Sequence, residues 1–175
     1  KISIKYSMQT KNTISTIDSL LFRKDSKSKF RNGIQHNIPI NTSINILKYF
    51  QLNPSFNITE RWYINQINKT WRNTDSTLSI DTINKFTRAH DYNFSTRLNT
   101  KIYGLATFKN GSISGIRHVM SPSLSFRYNP DFSNQKYGYY KTTQINENGD
   151  TETYSIMNNG IYGSPSNKRN GNINF

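Results

Sequence analysis

Apolar and polar residues alternate along most of this chain. The alternation is clearest in five segments, over residues 2–8, 34–46, 50–64, 92–108 and 118–128. In each segment the apolar side chains fall mainly on even-numbered positions, and Asn, Ser, Thr, Lys and Arg fall on odd-numbered ones. Because successive side chains of a β-strand point to opposite faces of a sheet, this period of two predicts strands with one apolar and one polar face.

The segments between these strands carry turn residues. Asn110-Gly111 and Asn148-Gly149 are hairpin dipeptides, and the second predicts a hairpin in which residues 139–145 pair with residues 152–157. Serine-rich, basic or Gly- and Pro-rich stretches predict long loops over residues 11–32, 129–138 and 158–171. No helical period and no repeat of fixed length is present. We therefore treat residues 1–175 as one antiparallel meander.

The predicted strands are long for a soluble sheet. The run over residues 92–108 covers 17 positions, whereas globular strands average about five or six residues and a membrane crossing needs about 9–11. Aromatic residues gather near the predicted strand ends, as in the interfacial girdle of a membrane barrel. They are Trp62, Tyr63, Tyr92, Tyr128, Tyr137, Tyr139 and Tyr140. The sequence thus predicts an all-β fold, part of a large transmembrane β-barrel that is an open sheet in isolation.

Composition supports a fold with little interior. The hydrophobic share is 33%, and Asn, Ser and Thr supply 61 of the 175 residues. An aromatic share of 13% argues against disorder, because disordered chains lack such residues. The chain contains no cysteine, which excludes disulfides and thiolate metal sites, and no apolar stretch approaches the length of a transmembrane helix. It opens at Lys1 inside a patterned segment, so we expect a piece of a longer protein.

The net charge of +13 favours an acidic partner, such as nucleic acid, anionic lipid or a phosphorylated glycan. One predicted loop is especially basic and could attract phosphates, although a solvated loop is the simpler and preferred explanation. Its cations are Arg23, Lys24, Lys27, Lys29 and Arg31. Charge alone does not choose among these partners.

Catalytic and metal-binding patterns are missing from the sequence. His36, His90 and His118 are isolated from one another and from any diagnostic Ser or carboxylate, so they predict neither a catalytic group nor a metal site. The glycine-rich stretch over residues 163–171 lacks the spacing of a phosphate-binding loop. We expect no enzyme activity and no cofactor.

Five polar residues are candidates for facing the interior of a barrel. Arg97, Lys101 and Arg127 lie on the polar side of predicted strands and could act on an anionic passenger or a plug, although solvation of the wall is the simpler role. Arg117 and His118 could bind a phosphate, or could contact neighbouring strands and water.

Two prolines interrupt predicted strands. Pro54 and Pro122 have no backbone N–H to give to a sheet, so each is a candidate strand bulge or strand end.

One stretch resembles a known family. The run over residues 116–132, IRHVMSPSLSFRYNPDF, is similar to the arginine-histidine, proline and alternating-strand signature of LptD, the outer-membrane lipopolysaccharide-assembly protein. Segments resembling the same barrel occur at residues 33–40, 54–63 and 159–163. The resemblance spans about residues 33–175.

This resemblance implies a fragment from the middle of a barrel of roughly 26 strands, located in the cell outer membrane. Family members accept lipopolysaccharide from a periplasmic bridge and release it sideways into outer-membrane lipid, with a lipoprotein plug in the lumen. The resemblance implies those partners here, and no nucleic acid. The N-terminal jelly-roll and the strands of the lateral gate are not identifiable, so no gate residue is assigned.

Two alternatives belong to other classes. A soluble basic β-rich binding module, an adhesin or a polyanion binder, would also use alternating strands and basic loops. Another outer-membrane barrel, a porin or a receptor, would share the membrane pattern.

Overall fold

The protein is an antiparallel β-sheet with small hairpins attached at its ends. The computed structural model describes residues 1–17, 30–109 and 114–175. Within these ranges the only helical segment is a short 3-10 turn, Gln135–Tyr137. No helix in the described residues is long and apolar enough to cross a membrane. The predicted all-β, antiparallel, open-sheet class is therefore confirmed.

Fourteen strands occur in the described residues. In chain order they are β1 (Ile2–Ile4), β2 (Ser7–Ile14), β3 (Phe30–Thr42), β4 (Ile44–Ile46), β5 (Phe50–Tyr63), β6 (Gln66–Arg72), β7 (Thr77–Ile83), β8 (Thr87–Thr100), β9 (Ile102–Thr107), β10 (Gly115–Met120), β11 (Ser123–Asn129), β12 (Tyr140–Gln144), β13 (Thr151–Ser155) and β14 (Asn170–Asn174). The main sheet has the order β1-β3-β5-β8-β11-β14, with β2 also on β3 and β4 on β5. Three separate hairpins pair β6 with β7, β9 with β10, and β12 with β13.

Prolines divide several long strands of the sheet into pairs of shorter strands. Lys5 donates to the carbonyl of Pro39 at 3.1 Å, and Thr100 donates to that of Pro122 at 3.2 Å. Neither proline can return a hydrogen bond, so the ladder is interrupted at that pair. The first break separates β1 from β2, and the second separates β8 from β9 and β10 from β11. Pro54 lies opposite the similar break between β3 and β4.

The pairing register does not shift across these breaks. Leu98 pairs with Leu124 before Pro122, and Ile102 pairs with Met120 after it, so no residue is inserted. Pro122 therefore lies at a strand end, between β10 and β11, which is one of its two predicted alternatives, whereas no bulge forms at either proline and Pro54 lies inside β5. The missing donor interrupts the ladder without adding a residue, and the predicted run over residues 92–108 is continuous in register.

The two faces of the main sheet differ as the alternation predicts. Cross-strand rows on the even face are apolar, for example Leu52, Leu98 and Leu124. Over the middle of the sheet nothing among the described residues covers this face, since Leu124 is 45% exposed and Ile173 of β14, which pairs with Phe126, is 62% exposed. At one end of the sheet Phe132 packs against Tyr92 on this face, with 5.4 Å between the ring centroids. Rows on the odd face are built from Asn, Ser and Arg. The apolar rows do not meet inside a double layer.

The compact core lies in the connections at one end of the sheet. Its buried residues are Tyr63, Ala89, Phe132, Tyr139, Ile156 and Met157. The hairpin β6–β7 and the hairpin β12–β13 pack together at this end, where Ile67 donates its backbone N–H to Ile156 at 2.8 Å and Lys69 pairs with Glu152 at 2.9 Å. The connections at the other end are residues 43–49 and the β9–β10 hairpin.

Loop boundaries need three corrections. At both ends of the loop predicted over about residues 11–32 the residues belong to strands, because β2 continues to Ile14 and β3 begins at Phe30, and residues 18–29 lie outside the described residues. The loop predicted over residues 129–138 begins one residue later and contains the 3-10 turn. The loop predicted over residues 158–171 ends where β14 begins at Asn170. Pairing with a neighbouring strand overrides turn-forming composition at each boundary.

The predicted hairpin near residue 149 is confirmed. Tyr140 pairs with Ser155 and Gln144 pairs with Thr151. Gly149 has a φ of +83°, which a residue with a side chain rarely adopts, and this explains the glycine in the turn. The other predicted turn, Asn110-Gly111, lies outside the described residues.

Candidate functional site

The odd face of the sheet forms a polar groove of about 500 Å³. It is lined mainly by Asn and Ser side chains from five strands, and its two charged residues are Arg97 and Arg127. Small polar side chains can donate to and accept from hydroxyl groups, and arginine binds phosphate or carboxylate oxygens in a bidentate manner. This lining suits a hydrated, anionic saccharide rather than an apolar ligand.

Arg97 and Arg127 are brought together by strand register. Arg97 of β8 pairs with Ser125 of β11, and Arg127 pairs with Ser95, so the two arginines are diagonal neighbours on one face. Such diagonal neighbours lie about 7–8 Å apart. Asn53 lies across from Arg97 and Asn172 lies across from Arg127. Two positive charges therefore occupy the middle of an otherwise neutral polar surface.

The other three candidates lie at the short-connection end. Lys101 lines a second hollow of about 620 Å³ with Lys48 and Tyr103. Arg117 lies over the ring of Tyr103, with 5.2 Å from its guanidinium carbon to the ring centroid. His118 pairs with Gly104 and lies on the opposite face of the β9–β10 hairpin from Arg117. The five residues therefore do not form one site.

A segment of the β13–β14 connection crosses the odd face at the long-connection end. Arg31 donates from Nε to the carbonyl of Asn159 at 2.9 Å, and Arg61 donates from Nε to that of Tyr162 at 3.2 Å. The hydroxyl of Tyr63 donates to the carbonyl of Gly163 at 2.8 Å. We call residues 157–163 the inward segment.

Side chains of the wall and the inward segment also pack closely. A Cβ atom added at Gly160 would lie 2.6 Å from Cζ of Tyr63, and one at Gly33 would lie 2.8 Å from Cε1 of the same ring. Arg61 also pairs with Asp91 at 2.9 Å, which fixes its guanidinium between β8 and the inward segment. The inward segment thus lies against β3 and β5 and narrows the polar face at this end.

At the long-connection end of the sheet, the apolar rows of the even face end in a cluster of charged and aromatic side chains. Glu60 accepts from Trp62 Nε1 at 2.5 Å and pairs with Arg88 at 2.5 Å. The ring of His36 is tilted against that of Trp62, with 4.4 Å between their centroids, and its Nδ1 lies 2.8 Å from the hydroxyl of Tyr6. This cluster follows directly after Ile58, the last apolar residue of the row along β5.

Comparison with known proteins decides the family. The family described as LptD protein matches residues 1–175, which is the whole chain. This chain belongs to the LptD family. Searches of curated proteins and of solved structures return no match.

Membership of the LptD family suggests a role in lipopolysaccharide transport and outer-membrane assembly. LptD proteins are transport and assembly proteins of the outer membrane and are not known as enzymes. The family also implies interaction with lipopolysaccharide and with the Lpt system. Among the described residues, no group of three His, Cys, Asp or Glu side chains could hold a metal ion.

Sequence reasoning on this LptD chain missed the anchors of the inward segment. Arg31 was assigned to a basic loop, although it lies in β3, and the rest of that basic set, residues 23–29, lies outside the described residues. Tyr63 was placed in an interfacial girdle, but it is 1% exposed and belongs to the core. Each anchor bonds to a residue about 100 positions or more away along the chain, and no local sequence pattern indicates such a contact.

One prediction concerns the pH dependence of the LptD core. Burial, and then the nearby Asp131 carboxylate, raise the pKa of the Tyr140 hydroxyl above its ordinary value of 10.0. That hydroxyl donates to the carbonyl of Pro165. Because the folded state holds the proton more tightly than the unfolded state, this stabilisation is complete below pH 10 and is lost as the pH rises through the raised pKa. The urea midpoint of unfolding should therefore fall above pH 10.

The Tyr140→Phe variant provides the control for this prediction. It removes the titrating group while keeping the ring, so its unfolding midpoint should be lower at pH 8 and should fall less steeply between pH 9 and pH 11. Parallel pH profiles of the two proteins, followed by tyrosine fluorescence, would contradict the assignment.

Proposed function

We propose that this chain forms part of the wall of an outer-membrane translocon barrel that inserts lipopolysaccharide into the outer leaflet. The apolar even face would contact lipid, and the polar odd face would line a water-filled bore. The observation that carries the proposal is the two-faced open sheet, whose apolar side has no second layer over its middle rows in the described residues. In hydrocarbon every backbone group must be paired, which favours closure of such a sheet with further strands.

The height of the apolar face supports its proposed contact with the membrane lipid. On β5 the uncharged even positions run from Phe50 to Ile58, which at about 3.3 Å per residue spans about 26 Å. The apolar band of outer-membrane barrels is about 25 Å tall, and at a strand tilt of about 40° this stretch of β5 covers about 20 Å of that height. The Glu60 and Arg88 pair with Trp62 then falls at the membrane interface, where charged and amphipathic groups are tolerated.

The connections support an orientation. In outer-membrane barrels the long loops are extracellular and the short turns are periplasmic. The long connections, residues 64–86 and 130–169, lie at the same end of the sheet as the core and the inward segment. We therefore place that end outside the cell and the β9–β10 hairpin on the periplasmic side, facing the bridge of the Lpt system.

The role of the wall in transport would be passive. The groove with Arg97 and Arg127 would bind the phosphorylated, hydrated part of lipopolysaccharide weakly and allow it to move on. The driving free energy would come from the bridge, because the sequence contains no nucleotide-binding pattern.

The test replaces both groove arginines in the full-length protein. Arg97→Glu combined with Arg127→Glu should slow the delivery of lipopolysaccharide to the cell surface about threefold to tenfold, because each reversal turns a weak attraction into a repulsion. Delivery is measured by pulse-labelling lipopolysaccharide and reacting the surface-exposed fraction with an impermeant reagent. The amount of folded barrel in the outer membrane is measured in parallel.

A matched control reverses two exposed cations away from the groove. Lys11→Glu combined with Lys136→Glu changes the net charge equally but leaves the groove lining intact. We expect delivery within about a factor of two of the wild type, as is usual for exposed surface charges. Equal delivery by the two double variants, at equal barrel levels, would contradict the assignment of the groove to the transport path.

A further inference from the structure

The β9–β10 hairpin extends beyond the main sheet at its short-connection end. Its six pairs run from Ile102 with Met120 to Thr107 with Gly115, and the same register continues into β8 and β11. All twelve of its strand residues are exposed. The hairpin therefore continues two wall strands, in the same register, past the end of β5, which begins at Phe50 opposite Thr100.

This hairpin is too long to lie wholly within a membrane. The even positions from Tyr92 to Phe108 span 16 residues, or about 53 Å along the strand and about 40 Å along the membrane normal at a tilt of 40°. The apolar band of an outer-membrane barrel is about 25 Å tall. If the band lies over Phe50–Ile58 of β5, most of the β9–β10 hairpin projects into water.

Both faces of the projecting hairpin are apolar. On the odd face, which is polar in the main sheet, Leu105 is 72% exposed and Tyr103 is 58% exposed, with Val119 beside Tyr103. Ile116 on the even face is also exposed. A two-stranded ribbon is marginally stable by itself in water, and exposed apolar patches mark interaction sites. The change from a polar to an apolar odd face begins directly after Lys101.

Charge identifies the kind of partner. The described residues of this region, 101–109 and 114–122, contain no Asp or Glu and include the cations Lys101, Lys109 and Arg117. Lys48 adds a fourth cation in the adjoining hollow. We propose that this hairpin is a docking surface for a periplasmic protein whose contact surface is acidic around an apolar centre. The edge of β9 has no strand partner other than β10 in the described residues, so its backbone could also pair with a strand of that protein.

A protein fits this surface better than a lipid does. An acyl chain that has left the bilayer is shielded from water only in an enclosed apolar groove, whereas all twelve strand residues of the hairpin are exposed. The hollow beside it is open and includes Lys48 and Lys101. Apolar anchors with a charged rim are typical of protein interfaces, and the charges there mainly set specificity. The inference rests on the proposed function only for the position of the hairpin outside the membrane.

The test uses a photo-crosslinking phenylalanine analogue at position 105 of the full-length protein in living cells. We expect a covalent adduct with a single protein of acidic surface, identified by mass spectrometry. In the same protein Lys101→Glu combined with Arg117→Glu should lower the adduct yield about fivefold or more, because it replaces attraction by repulsion across the contact. The analogue at position 53, on the polar face within the sheet, should give no such adduct.

The control for the charge reversal is Lys85→Glu combined with Lys168→Glu at the other end of the sheet, which should leave the yield within about a factor of two. Heat-modifiable migration of each variant in gels verifies that the barrel is folded. Three results would overturn the proposal. They are an adduct that contains lipopolysaccharide and no protein, an adduct yield that the charge reversal does not lower, and the absence of any adduct from a folded barrel. Lipopolysaccharide delivery is measured separately, so loss of docking is distinguishable from failure of the transport function.

Discussion

Leu98→Arg should destabilise the membrane-inserted protein by about 2–4 kcal/mol, because it places a guanidinium on the apolar face near the middle of the lipid-facing band. Leu98 lies between Leu52 and Leu124 in a row without polar groups. It is two residues, or about 7 Å, from the middle of the Phe50–Ile58 band. The measurement is reversible unfolding of the full-length protein in lipid vesicles by guanidinium chloride.

The neighbouring residue gives the matched control. Asn99 follows Leu98 in β8 but points to the odd face, where it lines the polar groove. Asn99→Arg adds the same side chain to a hydrated surface, so its cost should stay below about 0.5 kcal/mol. If the two variants unfold at the same denaturant concentration, the assignment of the even face to lipid is wrong. A larger cost at Asn99 would reverse the two faces.

The face to which a side chain of this sheet points could be predicted, because within one strand it depends only on whether the residue number is even or odd. Leu98 and Asn99 fall on opposite sides whatever strands lie beside them, since side chains alternate along any strand. The register of long antiparallel hairpins then brings Arg97 and Arg127 together, but sequence could not assign that register. It could only place both arginines on the polar side.

Pro122 lies at a strand end, one of the two outcomes that the sequence predicts for it, whereas Pro54 lies inside the uninterrupted strand β5. A missing N–H predicts a local loss of pairing, yet it does not say whether an extra residue is inserted. At Pro122 the strands on both sides keep one register, so the interruption leaves Leu124 and Met120 on the same face. Pro39 breaks the first strand in the same way, and the sequence analysis did not single it out.

The inward segment could not be predicted because its contacts are long-range and use backbone acceptors. Arg31 and Arg61 donate to main-chain carbonyls of residues 159, 160 and 162, and any residue type supplies such an acceptor. The same holds for Tyr63, whose neighbours are two glycines. Near a strand end an aromatic residue can face the membrane interface or an internal core, and the two cases have the same local sequence.

The wall and the core depend on different interactions. The main sheet buries few side chains in the described residues, so its stability would depend on backbone pairing and on the surrounding lipid. The buried cluster at the long-connection end depends on close packing around Tyr63 and Met157. A change in side-chain volume should therefore have its largest effect in this cluster, whereas a change in charge should have its largest effect on the lipid-facing rows.

Gly160→Ala should destabilise the folded protein by about 1–3 kcal/mol, the usual cost of forcing an extra methyl group into a packed site. The new Cβ would lie 2.6 Å from Cζ of Tyr63 and 2.9 Å from the carbonyl oxygen of Met157, and that backbone oxygen cannot move alone. Unfolding in urea gives the stability. Limited proteolysis at Lys168 and Arg169 should become faster, because the inward segment would detach from the wall.

Two further variants decide whether the contact with Tyr63 causes this effect. Gly171→Ala, in β14, makes only ordinary contacts at 3.8 Å and should change stability by less than about 0.5 kcal/mol. In a Tyr63→Leu background, which removes the ring, Gly160→Ala should cost at least about 1 kcal/mol less than it does in the wild type, since contacting residues are energetically coupled. Gly160→Ala could instead lower the free energy of unfolding equally in both backgrounds. In that case the contact with Tyr63 does not hold the inward segment against the wall, and the anchoring must come from Arg31 and Arg61 alone.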